Sequence, residues 1–429
     1  MNQLTASLWG DESWAATLAI KPYLQIVQIV SRDTSPPLFY LLLHTWMKIF
    51  GTSEIAIRSL TFFFFLGTVF TTYLIASYFW DKKTGLLAAL LTFTNPFLFQ
   101  YAFEGRMYSL LALTSTLSIY FFLRKNRVGF ILATSAALYT HHFSIFIVFF
   151  EGIWRLTETL TKSPSKIIKS LSDFFFIGLL YLPWLYPLYF QTKLIGGGFW
   201  LGKPGWNDLG EVFLKFLVGP TRNLLEKLAL LFMAVILLLR RWQKDSIKSF
   251  FLLGWFFAPI LLTFLVSQKF QSIFYDRYML MAIPAVCILL ASLGRRISLP
   301  PLILLIIILA AINWQYFTHP TKRPFRQLAE FVKQEADTTV RINYNGSAHH
   351  LFESKYYNIP APIYSPTPLP FYTGTALMEK GDVINSLPAA KEILAISSEP
   401  PEKVILPGWR QEKNKQFEGL TLVWFIKEK

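Results

Sequence analysis

The sequence predicts a polytopic α-helical membrane protein with interfacial helices near its start and a small α/β domain outside the membrane at its C-terminal end. Three observations lead there. Of 429 residues, 53% are hydrophobic and 17% aromatic, and mean hydropathy is +0.40, more apolar surface than a water-soluble globule of this size carries. The apolar residues come in long blocks, with Lys and Arg in short clusters between them. From Thr318 onward the blocks stop, prolines become frequent and charges of both signs mix.

A helix needs about 20 apolar residues to cross the hydrocarbon core. Ten stretches are read as spans, near Ile55–Trp80, Thr84–Phe103, Tyr108–Leu123, Val128–Tyr139, Phe143–Leu160, Leu171–Phe190, Leu224–Leu239, Phe250–Val266, Tyr278–Leu293 and Leu299–Phe317. They define a transmembrane domain over residues 54–317. Its basic connections alternate: Lys82-Lys83, Arg124 to Arg127, Lys162/Lys166/Lys169, Arg240/Arg241/Lys244/Lys248 and Arg295-Arg296. The intervening short connections hold only Arg106, Lys269 and Arg277. Positive charge marks the cytoplasmic side, so the N-terminal segment, the Glu104 loop, His141-His142, the long loop from Gln191 to Asn223, Asp276-Arg277 and the C-terminal region are expected outside the cytoplasm, in the plasma membrane of the cell. Ten spans with both ends outside also imply a further transmembrane helix ahead of Met1.

Residues 1–53 read as a first extracytoplasmic loop. Ser13–Val30 and Pro37–Phe50 have helical character, interrupted by Arg32-Asp33 and Pro36-Pro37; mixed faces such as Leu41/Leu42/His44/Thr45/Trp46/Lys48 suit helices lying in the interface, and proline stops one helix and seats the next. Residues 318–429 read as the soluble α/β domain, with an amphipathic helix over Arg326–Gln334 and strands at Thr339–Ile342 and Leu420–Phe425.

The formal charge of +15 could suggest nucleic acid, but its clustering between apolar blocks is that of topology determinants, which argues against a nucleic-acid partner. A single cysteine, Cys287 in an apolar run, excludes an internal disulfide and a thiolate metal site. Met1 to Ser7 has neither the basic start nor the apolar core of a signal peptide. No internal repeat is evident.

The polar residues with chemical potential gather on the expected outer face. Asp11 and Glu12 open a helical stretch, so they serve either as an N-terminal cap or as acid–base groups beside the lipid boundary. Asp33, before Ser35-Pro36-Pro37, is either an Asx-turn acceptor or a member of the same site. Glu104-Gly105-Arg106 lies in a tight loop between spans, where ionisable groups are costly and functional by default; a mutual ion pair competes with that reading. Arg106 suits a phosphate through its permanently charged fork of donors. Either His141 or His142 could face the site or join Asp33 or Glu104 at a divalent metal, but adjacent helical histidines point apart, and an interfacial hydrogen-bonding role competes. Arg277, before Tyr278, either receives a lipid phosphate or snorkels. Gly196-Gly197-Gly198-Phe199-Trp200 to Trp206 fits a sugar or acceptor platform and lacks the strand-then-helix setting of a nucleotide loop.

Taken in order, Leu8-Trp9-Gly10-Asp11-Glu12, Asp33-Thr34-Ser35-Pro36-Pro37-Leu38-Phe39-Tyr40, Phe50 to Glu54 with Ile57-Arg58, Glu104 to Ser109, Tyr139 to Phe143 and Arg277-Tyr278 resemble the GT-C membrane glycosyltransferases. Within them the likeness is to glycosyltransferase family 39, the protein O-mannosyltransferases and the aminoarabinose transferases. It covers about residues 8–295, with a looser likeness beyond.

The resemblance implies a GT-C fold and an inverting hexosyl transfer from a polyprenyl-phosphate-linked donor to an acceptor hydroxyl. It makes Asp11 the catalytic base with Glu12 and Asp33 beside it, and places Glu104, Arg106, Tyr108, Arg277 and Tyr278 around the donor's lipid phosphate. The acceptor is protein, lipid or glycan; no cofactor is required, and a divalent metal is compatible with the chemistry. Ser35 stands where the family commonly has histidine, so that histidine's role has no carrier here. The competing class is a transporter or flippase of a lipid-linked or anionic substrate. Such proteins place charges near the midplane and show repeats, whereas these charges sit at span ends. A third class, a non-catalytic lipid-binding subunit, would have no need of Asp11-Glu12.

Overall fold

The computed structural model describes residues 1–220, 223–238, 246–293, 299–336, 339–344 and 348–428. Two of the basic clusters used for orientation, Arg240/Arg241/Lys244 and Arg295-Arg296, lie outside the described residues.

Three helices come first: α1 (Gly10–Ala19), α2 (Tyr23–Val30) and α3 (Leu38–Phe50). The helical stretch expected from Ser13 to Val30 is broken in two, because Pro22 cannot donate a backbone hydrogen bond and instead stands as the cap residue of α2. The apolar region follows with α4 (Glu54–Phe79), α5 (Lys82–Thr94), α6 (Pro96–Ala102), α7 (Tyr108–Leu123), α8 (Arg127–Thr140), α9 (Ser144–Lys162), α10 (Ile167–Tyr181), α11 (Leu185–Gly196), α12 (Trp206–Val218), α13 (Leu224–Leu238), α14 (Ser246–Lys269), α15 (Ile283–Leu293) and α16 (Leu299–Thr318).

Each stretch read as a span contains helix. Among the described residues, five helical stretches are long and apolar enough to cross a bilayer by themselves: Glu54–Phe79, Ser170–Gly196, Ile247–Lys269, Asp276–Leu293 and Pro300–Thr318. Others are shorter or broken. Thr84–Phe103 divides at Asn95, whose side chain accepts from Leu98 N at 3.0 Å to cap α6 and donates to the Phe216 carbonyl at 2.7 Å. Leu171–Phe190 is interrupted by the 3-10 turn Leu182–Trp184 around Pro183. The chain is an integral membrane protein of α-helical class.

The stretch from Gln191 to Asn223, expected as a loop, holds α12. Its start is tied by Gly205 N donating to Asp208 Oδ2 at 2.7 Å, and Leu209, Val212 and Phe216 are buried at the three- and four-residue spacing of one helical face. The flanking glycines and tryptophans masked that short apolar period in the sequence.

The C-terminal region adds α17 (Phe325–Glu335), α18 (Ala348–Tyr356) and six strands, β1 (Val340–Asn343), β2 (Ile363–Tyr364), β3 (Val383–Ile384), β4 (Glu392–Ser397), β5 (Trp409–Phe417) and β6 (Leu420–Lys427). They form one sheet in the order β3-β2-β1-β4-β6-β5. β1 pairs in parallel with β2 and β4, and β6 runs antiparallel to β4 and β5. Alternation sorts the two faces: Leu394, Ile396, Leu422 and Trp424 pack with α17 through Phe325, Leu328 and Val332. Ile393, Ala395, Val423 and Phe425 pack on the other side with Ile342, Val404 and Leu406.

By contacts the chain divides into two compact units, Met1–Thr34 with Tyr40–Ile57 and His319–Lys429, and Ser35–Phe39 with Arg58–Thr318. The first loop and the C-terminal domain, separate in the sequence reading, therefore form one unit, here called the sheet unit. The other is the helical unit.

Within the helical unit α5 crosses α4 closely at Gly85. A Cβ there would meet the Tyr73 carbonyl oxygen at 2.9 Å and collide with Ser77 Oγ. Gly85→Val is expected to lower stability by about 1–3 kcal/mol through overpacking, read as a drop in Tm in detergent. Gly178→Ala, where the added carbon meets open space, should leave Tm unchanged or raise it.

Candidate active site

In the helical unit the loop from Glu104 to Met107 turns the chain from α6 into α7, with Arg106 N donating to the Glu104 carbonyl at 2.6 Å. Glu104 Oε1 lies 3.8 Å from Arg277 Nη1, and both side chains are nearly enclosed, at 10% and 13% exposure. Glu104 thus has an ion-pair partner 173 positions away in the chain, Arg277. The Arg277 guanidinium also stacks among three rings, 4.7 Å from the centre of Tyr275, 5.2 Å from Tyr108 and 6.0 Å from Tyr278. Aromatic faces favour a cation and let it stay charged where little water reaches.

A 3-10 stretch, Asp276–Ala282, carries Arg277 and Tyr278. It is anchored by Asp276, whose Oδ1 accepts from Arg277 N at 2.7 Å and whose Oδ2 binds Lys215 of α12 at 2.7 Å. Beside this anchor is a cavity of about 370 Å³ lined in part by Lys203, Asp208, Glu211, Lys215, Tyr275 and Asp276. Residues 201–204, in the expected acceptor platform, form one of its walls.

The two histidines part company, since α8 ends at Thr140 and α9 begins at Ser144. His141 is buried against Tyr278, with ring centres 4.9 Å apart. Burial first, then the positive fields of His142, Arg106 and Arg277, hold its imidazole well below the usual histidine range. His141 is therefore a neutral ring in the same field as both arginines. His142 turns the other way: Nε2 meets Gln191 Oε1 at 2.7 Å and Nδ1 meets Tyr181 Oη at 3.2 Å. Gln191 Nε2 donates in turn to the Ser35 carbonyl at 3.4 Å. That chain of bonds holds the Ser35-Pro36-Pro37 turn within the helical unit. Packing pushes His142 from 6.5 down to about 4.

In the sheet unit α1 begins at Gly10, so Asp11 and Glu12 occupy its first turn and Trp9 is the cap residue. Of the Asp11-Glu12 pair considered for capping, Glu12 is seen in that role, its Oε2 accepting from Trp9 N at 3.4 Å. The same oxygen receives Lys322 Nζ at 2.9 Å, with no solvent exposure of the Glu12 side chain and 11% of Lys322. Asp11 is half-buried in that turn, where the positive end of the helix dipole favours a carboxylate. Asp33, also half-buried, lies in the turn after α2, its amide donating to the Val30 carbonyl at 3.1 Å.

Further bonds fix the approach to Asp11. Arg326 Nη2 reaches Glu54 Oε1 at 2.5 Å and the Thr5 carbonyl at 2.9 Å. Tyr357 Oη donates to Glu54 Oε1 at 2.8 Å and accepts from Leu8 N at 2.8 Å. Burial raises the Glu353 carboxyl well above its usual range; Arg323 opposes the rise and the Glu12 carboxylate adds to it. Trp14 of α1 packs on Gly374, where φ is +84° and an added Cβ would come within 2.8 Å of the indole, leaving no room for a side chain.

Glu104, Tyr108, His141, Arg277 and Tyr278 thus share one cluster, with Arg106 close enough to act on His141; Asp11, Glu12 and Asp33 belong to the sheet unit. Sequence reasoning missed Lys215, Gln191 and Lys322. Lys215 and Gln191 lay in a stretch read as loop, and Lys322 is one base among several with nothing local to mark its partner. Among the described residues no three His, Cys, Asp or Glu side chains are grouped to hold a metal ion.

The family model of dolichyl-phosphate-mannose-protein mannosyltransferases matches residues 34–163. Over 98% of the chain the fold is that of ArnT from Cupriavidus metallidurans in the apo state, with a TM-score of 0.68, 13% identity and 95% of that chain covered. ArnT from the same organism bound to undecaprenyl phosphate matches with a TM-score of 0.63 and 12% identity, over 98% of this chain and 95% of that one. No curated protein matches the sequence. The expected resemblance to the GT-C membrane glycosyltransferases therefore holds in the family match and in the fold.

Two outcomes follow from these contacts. Glu12→Gln or Lys322→Met strands a buried charge and should cost about 3–5 kcal/mol, read as a lower Tm; the double substitution should recover part of the loss. His142, whose folded pKa lies below 6.5, contributes stability that is present above that value and lost as pH falls through 6.5 towards 4. Over that window the Tm of the native chain should fall more steeply than that of His142→Gln.

Proposed function

We propose, on the premise of a GT-C glycosyltransferase fold, that this protein transfers a sugar from a polyprenyl-phosphate-linked donor to an acceptor hydroxyl on the extracytoplasmic side, with inversion. The observation that carries the reading is the Arg277 guanidinium, held nearly out of water among three tyrosine rings and loosely paired to Glu104 at 3.8 Å. Such a cation is ready to take a phosphate oxygen at closer range than its present carboxylate partner. The fold likeness to ArnT, one structure of which holds undecaprenyl phosphate, and the family match at residues 34–163 support a lipid phosphate as that group.

The acceptor oxygen attacks the anomeric carbon as its proton passes to the Asp11 carboxylate. The bond from that carbon to the phosphate oxygen breaks, and its electron pair leaves with the polyprenyl monophosphate. General-base help contributes about 100- to 10,000-fold. Arg277, with Arg106, stabilises the charge gathering on the leaving phosphate, the larger electrostatic contribution. His141, kept neutral, adds no competing charge and can hydrogen-bond a phosphate or sugar oxygen. Glu12, committed to Lys322, orients the first turn of α1 and leaves Asp11 to act as base; Asp33 assists from the neighbouring turn. Because the leaving group is a monophosphate met by two guanidinium groups, the chemistry does not demand a divalent metal. A mannose-like hexose is the sugar this reading favours, with protein, lipid or glycan as acceptor.

The test uses the full chain in lipid nanodiscs with synthetic polyprenyl-phosphate sugars, product being followed by mass spectrometry. Asp11→Asn should abolish transfer with Tm unchanged, and retained transfer removes Asp11 from the mechanism. Arg277→Gln should reduce kcat/KM for the donor by at least 100-fold. Movement of intact donor across the membrane without glycosyl transfer would favour the transporter reading instead.

A further inference from the structure

At the opposite end of the helical unit from Arg277 lies a second built cavity. Helix α7 runs from Tyr108 beside Arg277 to Leu123 at this cavity, about 24 Å for its 16 residues at 1.5 Å each. The cavity holds about 670 Å³ between α4, α7, α9, α10 and α14, and four cations line it, Lys125, Arg155, Lys162 and Lys248, against one carboxylate, Glu158. Its walls are aromatic: Tyr78, Phe79, Phe122, Trp154 and Phe251.

Little within the cavity neutralises these cations. Lys162 pairs with Glu158 at 2.9 Å. Arg155 lies 4.0 Å from Asp173, but Asp173 is more closely engaged by Arg127 at 2.6 Å, and the Arg155 guanidinium rests over the Phe122 ring at 4.6 Å. Lys248 Nζ donates to the Phe79 carbonyl, an uncharged partner. Lys125 makes no ion pair among the described residues.

We propose that this cavity binds the headgroup phosphate of an anionic membrane phospholipid. Excess positive charge selects an anion. The aromatic walls, and the exposed apolar residues at the rim, Tyr78 at 47% and Ile247 at 74% with Phe250 at 68% one turn along α14, select one that carries hydrocarbon. A free inorganic anion would use the cations and leave those walls without a partner. The volume exceeds what a lone phosphate fills and suits a phosphate with its glycerol. Basic pockets between membrane helices on the cytoplasmic side recognise anionic headgroups in this way, and the basic connections assign this end to that side. The bound lipid would bridge the turn after α7, α9 and α14, from which Lys125, Arg155 and Lys248 converge on the cavity.

Native mass spectrometry of the full chain in mild detergent tests this, with phosphatidylglycerol, phosphatidylcholine and inorganic phosphate as probes. Native chain should retain phosphatidylglycerol in preference to phosphatidylcholine by about tenfold or more, less so as salt rises. Lys125→Gln with Arg155→Gln should lose that preference. Because Arg155 also packs on Phe122, Lys125→Gln alone, at an exposed position, serves as the second variant and should weaken the preference several-fold at unchanged lipid-free Tm. Equal retention of the two lipids by the native chain, a preference unchanged by both substitutions, or stabilisation by inorganic phosphate equal to that by phosphatidylglycerol would each overturn the proposal.

Discussion

The ion pair between Glu12 and Lys322 is the contact on which the sheet unit depends. A carboxylate with no solvent exposure is costly unless its lost hydration is replaced; here the Lys322 ammonium and the Trp9 amide replace it at one oxygen. Because Glu12 sits on the first turn of α1, satisfying it fixes where that helix starts and in which rotation. The neighbouring Asp11 is thereby carried on a rigid first turn rather than on a free loop. Arg326, Glu54 and Tyr357 repeat the logic two turns of chain earlier, clamping the segment from Thr5 to Leu8 by its backbone. A sheet domain has been used as the bed on which a short N-terminal helix is laid.

The helical unit meets the same constraint with different means. Arg277 is too enclosed to keep its hydration, and its charge is sustained by tyrosine faces and a carboxylate at the edge of ion-pair range. His141 gives up its proton under burial and the two arginine fields, which spares the cluster a third positive charge. His142, one residue on, is consumed in positioning, passing a hydrogen bond through Gln191 to the turn at Ser35. At Ser35 the turn offers its backbone carbonyl to Gln191, a contact that any residue there would supply. Positive charge occupies both ends of the helical unit, yet it is arranged differently. Around Arg277 it is one enclosed guanidinium among rings; in the cavity beyond Leu123 it is several ammonium and guanidinium groups around open space.

Much of the helical architecture was legible because long apolar blocks and proline breaks are properties of contiguous residues. Each block contains helix, although Thr84–Phe103 divides at Asn95, Leu171–Phe190 is interrupted around Pro183 and Tyr278–Leu293 begins as a 3-10 turn, and the sheet strands at β1 and β6 followed from short β-branched and aromatic runs. Where the period was short and flanked by glycine, as in α12, the same reasoning returned a loop. Where a proline stood inside a helical stretch, as at Pro22, the break was readable in principle, and the continuous reading from Ser13 to Val30 passed over it.

By itself the sequence determined the membrane class, most of the apolar helices, the strand-bearing character of the C-terminal region and the inventory of acids, arginines and histidines at the span ends, since each depends on local composition and periodicity. Only the tertiary structure decided which of those groups are spent on holding the fold. It set Glu12 against Lys322, 310 positions away, brought Arg277 to Glu104 across 173 positions, and sent two adjacent histidines to different partners. The reason is physical. The cost of a buried charge depends on distance and desolvation among residues remote in the chain, and neither quantity exists until the chain has folded.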